Sequence, residues 1–173
     1  MALKRGPRSQ PSGLDPLARA KAIALRQLAA RMRTEAQLRA RLAKDGLEGE
    51  ADAVVAWLAA LGYLDDGAYA RARARGLVAR GAGPRLVERR LVSEGIDAAA
   101  ARAAAAEALA GEVGEGGRAA ELAQCRALAA RRARGIPLED LDDRGRRRLA
   151  RFLLGRGFAG SVVSRVLGIH ADG

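Results

Sequence analysis

One pattern recurs three times along this chain. Two apolar residues stand four apart, a glycine follows four later, and a bulky apolar residue comes next. It reads Leu38-Leu42-Gly46-Leu47, then Val87-Leu91-Gly95-Ile96, then Leu149-Leu153-Gly157-Phe158. Residues four apart share one helix face, and glycine suits the left-handed position that ends a helix. Each copy therefore predicts a short helix with a narrow apolar stripe, stopped by glycine and pinned by a hydrophobic anchor. Such a helix cannot bury its stripe alone, so its sequence neighbours must supply the other walls. The three glycines lie 49 and 62 residues apart, as in an array of small helical units.

The flanking sequence supplies those walls. Before the first copy, Ala22, Leu25, Leu28, Ala29 and Met32 form an apolar stripe at helical spacing. Thr34 with Gln37 reads as a capping box that opens the middle helix. After the copy, Val54, Val55, Trp57, Leu58 and Leu61 predict a third helix that stops at Gly62. Around the second copy, Asp65 or Asp66 can cap the stretch "GAYARARARG". Gly83-Pro84 places proline in the first turn of the middle helix, and Asp97 can cap "AAAARAAAAEAL". Alanine supplies 41 of the 173 residues and aromatics only 3%, and strand-favouring runs are absent.

The expectation is an all-α fold of three tandem three-helix repeats, nine short helices forming an elongated, curved array. Residues 1–16 are expected to be a disordered basic tail. Repeats then occupy 17–64, 65–110 and 118–169, with a Gly-rich joint at 111–117. Residues Gly135 to Gly145 are read as a loop between the first two helices of the third repeat.

Net charge is +11, which favours a polyanion or an acidic protein surface as partner. Residues 118–173 are the most basic part, at +6. Arg71 and Arg75 share a helix face, as do Arg85 and Arg89, whereas Arg73 lies roughly opposite its neighbours. In the third repeat the arginines fall in blocks, Arg131, Arg132 and Arg134, then Arg144, Arg146, Arg147, Arg148 and Arg151. Rows of guanidinium groups suit carboxylates or phosphates. Contact residues are predicted at Arg71, Arg75, Arg85, Arg89, Arg131, Arg132, Arg147 and Arg148.

Chemistry beyond binding has little support. The one histidine, His170, stands three residues from the end, and the one cysteine, Cys125, sits among Leu122, Leu128 and Ala129 as a core hydrophobe. A single cysteine forms no internal disulfide, which suits a reducing compartment. No cluster has metal-ligand spacing, no cofactor motif is present, and no apolar run is long enough to span a membrane. The stretch Gly114 to Ala119 fits a loose dinucleotide-binding pattern but follows an Ala-rich helix instead of a strand. Base reading is poorly provided for: the chain has no asparagine, and the third helices of the first two repeats carry one arginine, Arg102. The five aromatics fall at apolar-face positions or helix junctions, which disfavours stacking on single-stranded bases. A general, sequence-independent DNA- or RNA-binding protein that touches phosphates stays open as a second reading.

The segments "LAARM", "TEAQLRARLAKDGL", "GYLDDGAYARARAR" and "GAGPRLVERRLVSEGID", in that order, resemble the RecX family of bacterial recombinase regulators. The likeness runs from about Leu17 to Leu109 and continues in order from Arg118 to Leu167, where "LARFLLGRGFAGSVVSRVL" is similar to the family's final helix pair. It implies three tandem three-helix repeats and a cytoplasmic, non-enzymatic protein. The implied partner is the RecA filament, bound in its helical groove, with recombination and SOS signalling restrained. The chain is expected to act as a monomer without cofactors, DNA entering through phosphate contacts.

Overall fold

The computed structural model describes residues 15–110 and 117–169. The described residues hold nine α-helices and no strand. In chain order they are α1 (Pro16–Ala30), α2 (Glu35–Lys44), α3 (Ala51–Ala60), α4 (Asp66–Ala79), α5 (Pro84–Ser93), α6 (Ala98–Ala110), α7 (Arg118–Ala133), α8 (Asp143–Gly155) and α9 (Gly160–Leu167). Short 3-10 turns precede α3 and α8, at Glu48–Glu50 and Leu138–Asp140. The predicted tail, apart from Asp15 and Pro16, and the predicted joint, apart from Gly117, lie outside the described residues, as does His170. Pro16 already opens α1 instead of ending the tail.

All three copies of the repeated motif do the same physical work. The helix before the glycine ends with two backbone bonds that satisfy carbonyls left over by the last turn. In the first copy Gly46 N–H donates to Ala43 at 3.0 Å and Leu47 N–H to Leu42 at 2.9 Å. The second copy repeats this with Gly95 to Val92 and Ile96 to Leu91, both at 3.0 Å. In the third, Gly157 donates to Leu154 at 2.9 Å and Phe158 to Leu153 at 3.3 Å. Gly46, Gly95 and Gly157 all have the positive φ this closure needs, +72°, +93° and +90°. The anchor then turns inward, so Leu47, Ile96 and Phe158 join the buried cores with the two stripe residues of each copy.

The chain forms two compact units, divided between Leu64 and Asp65. In the first, Leu38 and Leu42 of α2 meet Val54, Val55 and Leu58 of α3. Here α1 departs from the expected stripe. Ala20 and Ala24 are its buried residues, with Leu17, Ile23 and Leu28 packed beside them, while Leu25 is exposed and Met32, also exposed, lies past the helix end. Alanines let the α1 backbone approach α2 and α3 closely, so the helix is rotated by about one residue (~100°) from the face its bulkiest side chains suggest. Leu61 and Tyr63, beyond the end of α3, are also exposed.

The second unit holds α4 to α9 around two core clusters. One is mostly alanine, Ala70 and Ala74 of α4 against Ala101, Ala104 and Ala105 of α6, closed by Val87, Leu91 and Ile96. The other is bulkier, with Leu149, Leu153, Phe158, Val162, Val163, Val166 and Leu167 around Cys125 and Ala129. Caps fall where the sequence places them. Thr34 Oγ1 accepts from Gln37 N–H at 3.1 Å, Asp65 from Ala68 at 2.7 Å, and Asp97 from Ala99 at 2.9 Å. The stretch read as a loop to Gly145 is shorter than expected. Asp142 accepts from Gly145 N–H at 2.7 Å and starts α8 at Asp143, an N-cap hidden in a run of acidic residues.

The two clusters of the second unit are joined through backbone. At the start of α5, Gly83 N–H donates to Arg156 O at 2.7 Å and Arg85 N–H to Gly157 O at 3.2 Å. Orphan donors of one helix start thus meet orphan acceptors of another helix end, and the two dipole ends are of opposite sign. The Arg156 side chain closes the end of α4 in turn: its Nε donates to Gly81 O at 2.9 Å and its Nη2 to Arg80 O. Gln124 of α7 donates to Val78 O at 3.0 Å. Arginine and glutamine here act as helix caps supplied from another part of the fold.

Candidate interface: the arginine-rich helix faces

All eight arginines predicted as contacts are exposed. None of them carries an ion pair among the described residues. Arg71 and Arg75 lie on α4, Arg85 and Arg89 on α5, Arg131 and Arg132 in the last turn of α7, and Arg147 and Arg148 on α8. Arg85 and Arg89 flank Glu88 and border a shallow surface with Val92. Arg132 and Arg148 are brought together across α7 and α8, where they line one cavity with Arg134. The guanidinium of Arg132 sits over the Phe152 ring, 5.1 Å from its centroid, a favourable cation–π distance.

Other arginines are used by the fold. Arg73 grips Glu94 with Nη2–Oε1 at 2.6 Å and Nε–Oε1 at 3.0 Å, while Tyr69 donates its hydroxyl to Glu94 Oε2 at 2.8 Å. Arg102 pairs with Glu88 at 3.3 Å, and Arg146 donates to Glu139 O at 2.6 Å. Arg102, the one arginine on a predicted third helix of the first two repeats, is therefore held by a carboxylate. Such placements leave the eight as an exposed cationic set, able to meet carboxylates or phosphates without first breaking an internal pair.

The Glu94 knot ties α4 to the end of α5 and sets a pH response. Burial alone would raise the Glu94 carboxyl. Hydrogen bonds from Arg73 and Tyr69, with the charges of Arg73 and Arg90, outweigh it, so the group titrates below its ordinary value. Arg73 is pushed up by its bond to Glu94 against a smaller burial effect. A depressed folded carboxylate stabilises above its unfolded pKa, ~4.3, and loses that contribution as pH falls through the folded value. Glu94→Gln should cost about 1–2 kcal/mol at neutral pH. Urea unfolding should show the two proteins converging in stability in acid, below the Glu94 titration.

Cys125 is fully buried, and burial, followed by the charge of Glu121, pushes its thiol up to about 11. Only the thiolate attacks disulfide reagents, so Cys125 should stay unlabelled by a coloured aromatic disulfide in the native protein and react at once in denaturant. No group of three or more metal-ligating side chains is present among the described residues. No described helix is long and apolar enough to cross a membrane.

What sequence reasoning missed is the neighbourhood of Arg132. Arg134, Ile136 and Phe152 join Arg132 and Arg148 around one cavity, although α7 and α8 are separated by a turn whose path the sequence does not reveal. Tyr63 is a second miss. Its position at a helix junction suggests an apolar contact, but 60% of its surface is exposed, because the turn after Gly62 directs it away from the α3 core.

Two family models match, the first three-helix domain of RecX over residues 20–58 and its third three-helix domain over residues 119–167. The regulatory protein RecX of Acidithiobacillus ferrooxidans is 34% identical over 148 residues, covering 85% of this chain and 87% of that protein. The chain belongs to the RecX family. Regulatory protein RecX of Thermus thermophilus is 47% identical over 75 residues, 43% of this RecX-family chain and 52% of that protein. Among solved structures, RecX from Lactobacillus salivarius superposes with a TM-score of 0.71 at 20% identity, over 89% of this chain and 96% of that one. Another regulatory protein RecX gives 0.68 at 22% identity, over 90% and 73%. At those identities the solved structures speak for the shared helical fold.

Proposed function

We propose that this RecX-family protein regulates the RecA recombinase without being an enzyme. It docks as a monomer on RecA–DNA filaments in the cytoplasm and restrains strand exchange, ATP hydrolysis and SOS signalling. Its three-helix repeats at 17–64, 65–110 and 118–169 give the docking surfaces, and Arg71, Arg75, Arg85, Arg89, Arg131, Arg132, Arg147 and Arg148 supply their charge. One observation carries this reading within the family: eight exposed arginines, unpaired among the described residues, stand on short rigid helices. A cationic set of that kind gains most from a partner rich in carboxylates or phosphates, and a RecA–DNA filament offers phosphates together with protein. The deciding measurement is RecA-dependent ATP hydrolysis on single-stranded DNA with the purified chain titrated in. Inhibition at stoichiometries well below one protein per nucleotide supports the reading, and unchanged hydrolysis rejects it.

The net charge of +11 favours a second reading, in which the chain binds naked nucleic acid through phosphates and needs no recombinase. That reading requires tight binding to DNA alone, with a log–log salt slope of about −0.7 to −0.9 per phosphate neutralised. Binding to the filament with little affinity for bare DNA separates the two.

A further inference from the structure

The C-terminal turn of α7, the chain that leaves it and α8 enclose a cavity of about 390 Å³. Its rim is cationic: Arg132, Arg134 and Arg148 stand around it, and no acidic side chain lines it among the described residues. None of the three has an ion pair among those residues. Part of its wall is apolar, with Ile136, Leu141 and Phe152 lining it and Ile136 52% exposed. Leu141 and Phe152 also pack against the core beneath, while the exposed face of Ile136 offers apolar area that a ligand group laid against it would remove from water.

Arg134 adds an independent observation. It ends α7 in the left-handed region, at φ 53° and ψ 45°, and is the one non-glycine among the described residues with positive φ. Eight glycines occupy the other positive-φ positions. Holding arginine there costs about 1–2 kcal/mol relative to glycine, and strain of this kind gathers at sites that position a side chain for a ligand.

We propose that this cavity binds an acidic peptide segment carrying one bulky apolar side chain. The carboxylates pair with Arg132, Arg134 and Arg148, and the apolar side chain rests on Ile136 and Leu141. Guanidinium forks match carboxylates in two-point geometry, and a cavity of this size falls in the ordinary range for ligand sites. A nucleic-acid strand fits less well. Its bases need a free π face, and the Phe152 face is already taken by Arg132. The inference deepens the proposed docking on a protein surface and rests on that reading.

The test is fluorescence anisotropy with the full chain and a short fluorescein-labelled peptide of Asp and Glu around one Phe. A peptide with Ser in place of that Phe and an oligothymidylate of equal length serve as comparisons. Arg134→Gly removes a charge while relieving backbone strain, so it should fold at least as well as the parent; Arg148→Glu and Ile136→Ser alter exposed side chains only. The Phe peptide should bind, and Arg134→Gly or Arg148→Glu should each weaken it about tenfold. Ile136→Ser, or Ser in the peptide, should weaken it about fivefold, with oligothymidylate binding little changed by Ile136→Ser. No binding of the Phe peptide to the parent, or binding indifferent to Arg148→Glu, overturns the proposal. So does oligothymidylate that binds more tightly than the peptide and is lost with the same substitutions. RecA-dependent ATP hydrolysis, run in parallel, separates the failures. Inhibition by a chain that binds no peptide removes the cavity proposal alone, whereas no inhibition removes the proposed function whatever the cavity binds.

Discussion

Gly157→Ala should destabilise the second unit by about 3–5 kcal/mol, far more than the loss of one helix cap. Two costs add. Gly157 sits at φ +90°, where an L side chain is strained by about 1–2 kcal/mol. A Cβ there would also stand 2.6 Å from Leu86 Cβ and 3.0 Å from Leu86 Cα, and backbone cannot rotate out of the way. Gly83 faces the same seam, with a Cβ only 2.7 Å from Gly157 C and Phe158 N. The two glycines let the start of α5 touch the end of α8 closely enough for the Gly83–Arg156 and Arg85–Gly157 backbone bonds. Overpacking at such a contact costs about 1–3 kcal/mol on its own and breaks those bonds as well. Gly46→Ala is the matched comparison. Gly46 occupies the same motif position at φ +72°, and a methyl added there would meet nothing within 4 Å, so only the strain should appear, about 1 kcal/mol. Urea unfolding of both variants measures the difference; similar losses would mean that the seam yields.

That contrast also marks what the sequence discloses. The repeated Leu-x-x-x-Leu-x-x-x-Gly pattern specifies each helix end because its bonds are local, five residues or fewer apart. Thr34, Asp65, Asp97 and the Gly83-Pro84 start are legible for the same reason. The second role of Gly157 is not, because it depends on which helix start is brought against it. The face of α1 is hard to read because side-chain bulk points one way and fit another: Ala20 and Ala24 bury fully while Leu25 does not. At the candidate interface, exposure of the eight arginines follows from their helical phase. The capture of Arg73 by Glu94, 21 residues away, and the grouping of Arg132 and Arg148 with Arg134 and Phe152 are products of tertiary packing, which no periodicity encodes.

Reversing Arg71, Arg75, Arg85 and Arg89 together to Glu should raise the concentration needed to inhibit RecA-dependent ATP hydrolysis by about 100-fold at low ionic strength. The four lie outside the cavity of the third repeat, so the peptide site and this surface are tested apart. Net charge falls from +11 to +3, because each reversal removes two positive charges. All four side chains are exposed and carry no ion pair among the described residues, so the fold loses no internal partner. Arg85 lies in the first turn of α5, where a carboxylate is favoured by the helix dipole. Unfolding transitions should therefore stay close to the parent, any loss being the mild repulsion with Glu88, about 0.5 kcal/mol. Salt then gives the diagnostic. Surface attraction is screened over about 8 Å at physiological ionic strength, so the gap between parent and variant should narrow as salt rises. A variant that folds normally and inhibits as well as the parent at low salt would place filament docking elsewhere on the molecule. One that loses naked-DNA affinity as steeply as filament inhibition, with a salt slope reduced by about 0.9 for each phosphate contact removed, would shift the balance to the nucleic-acid reading.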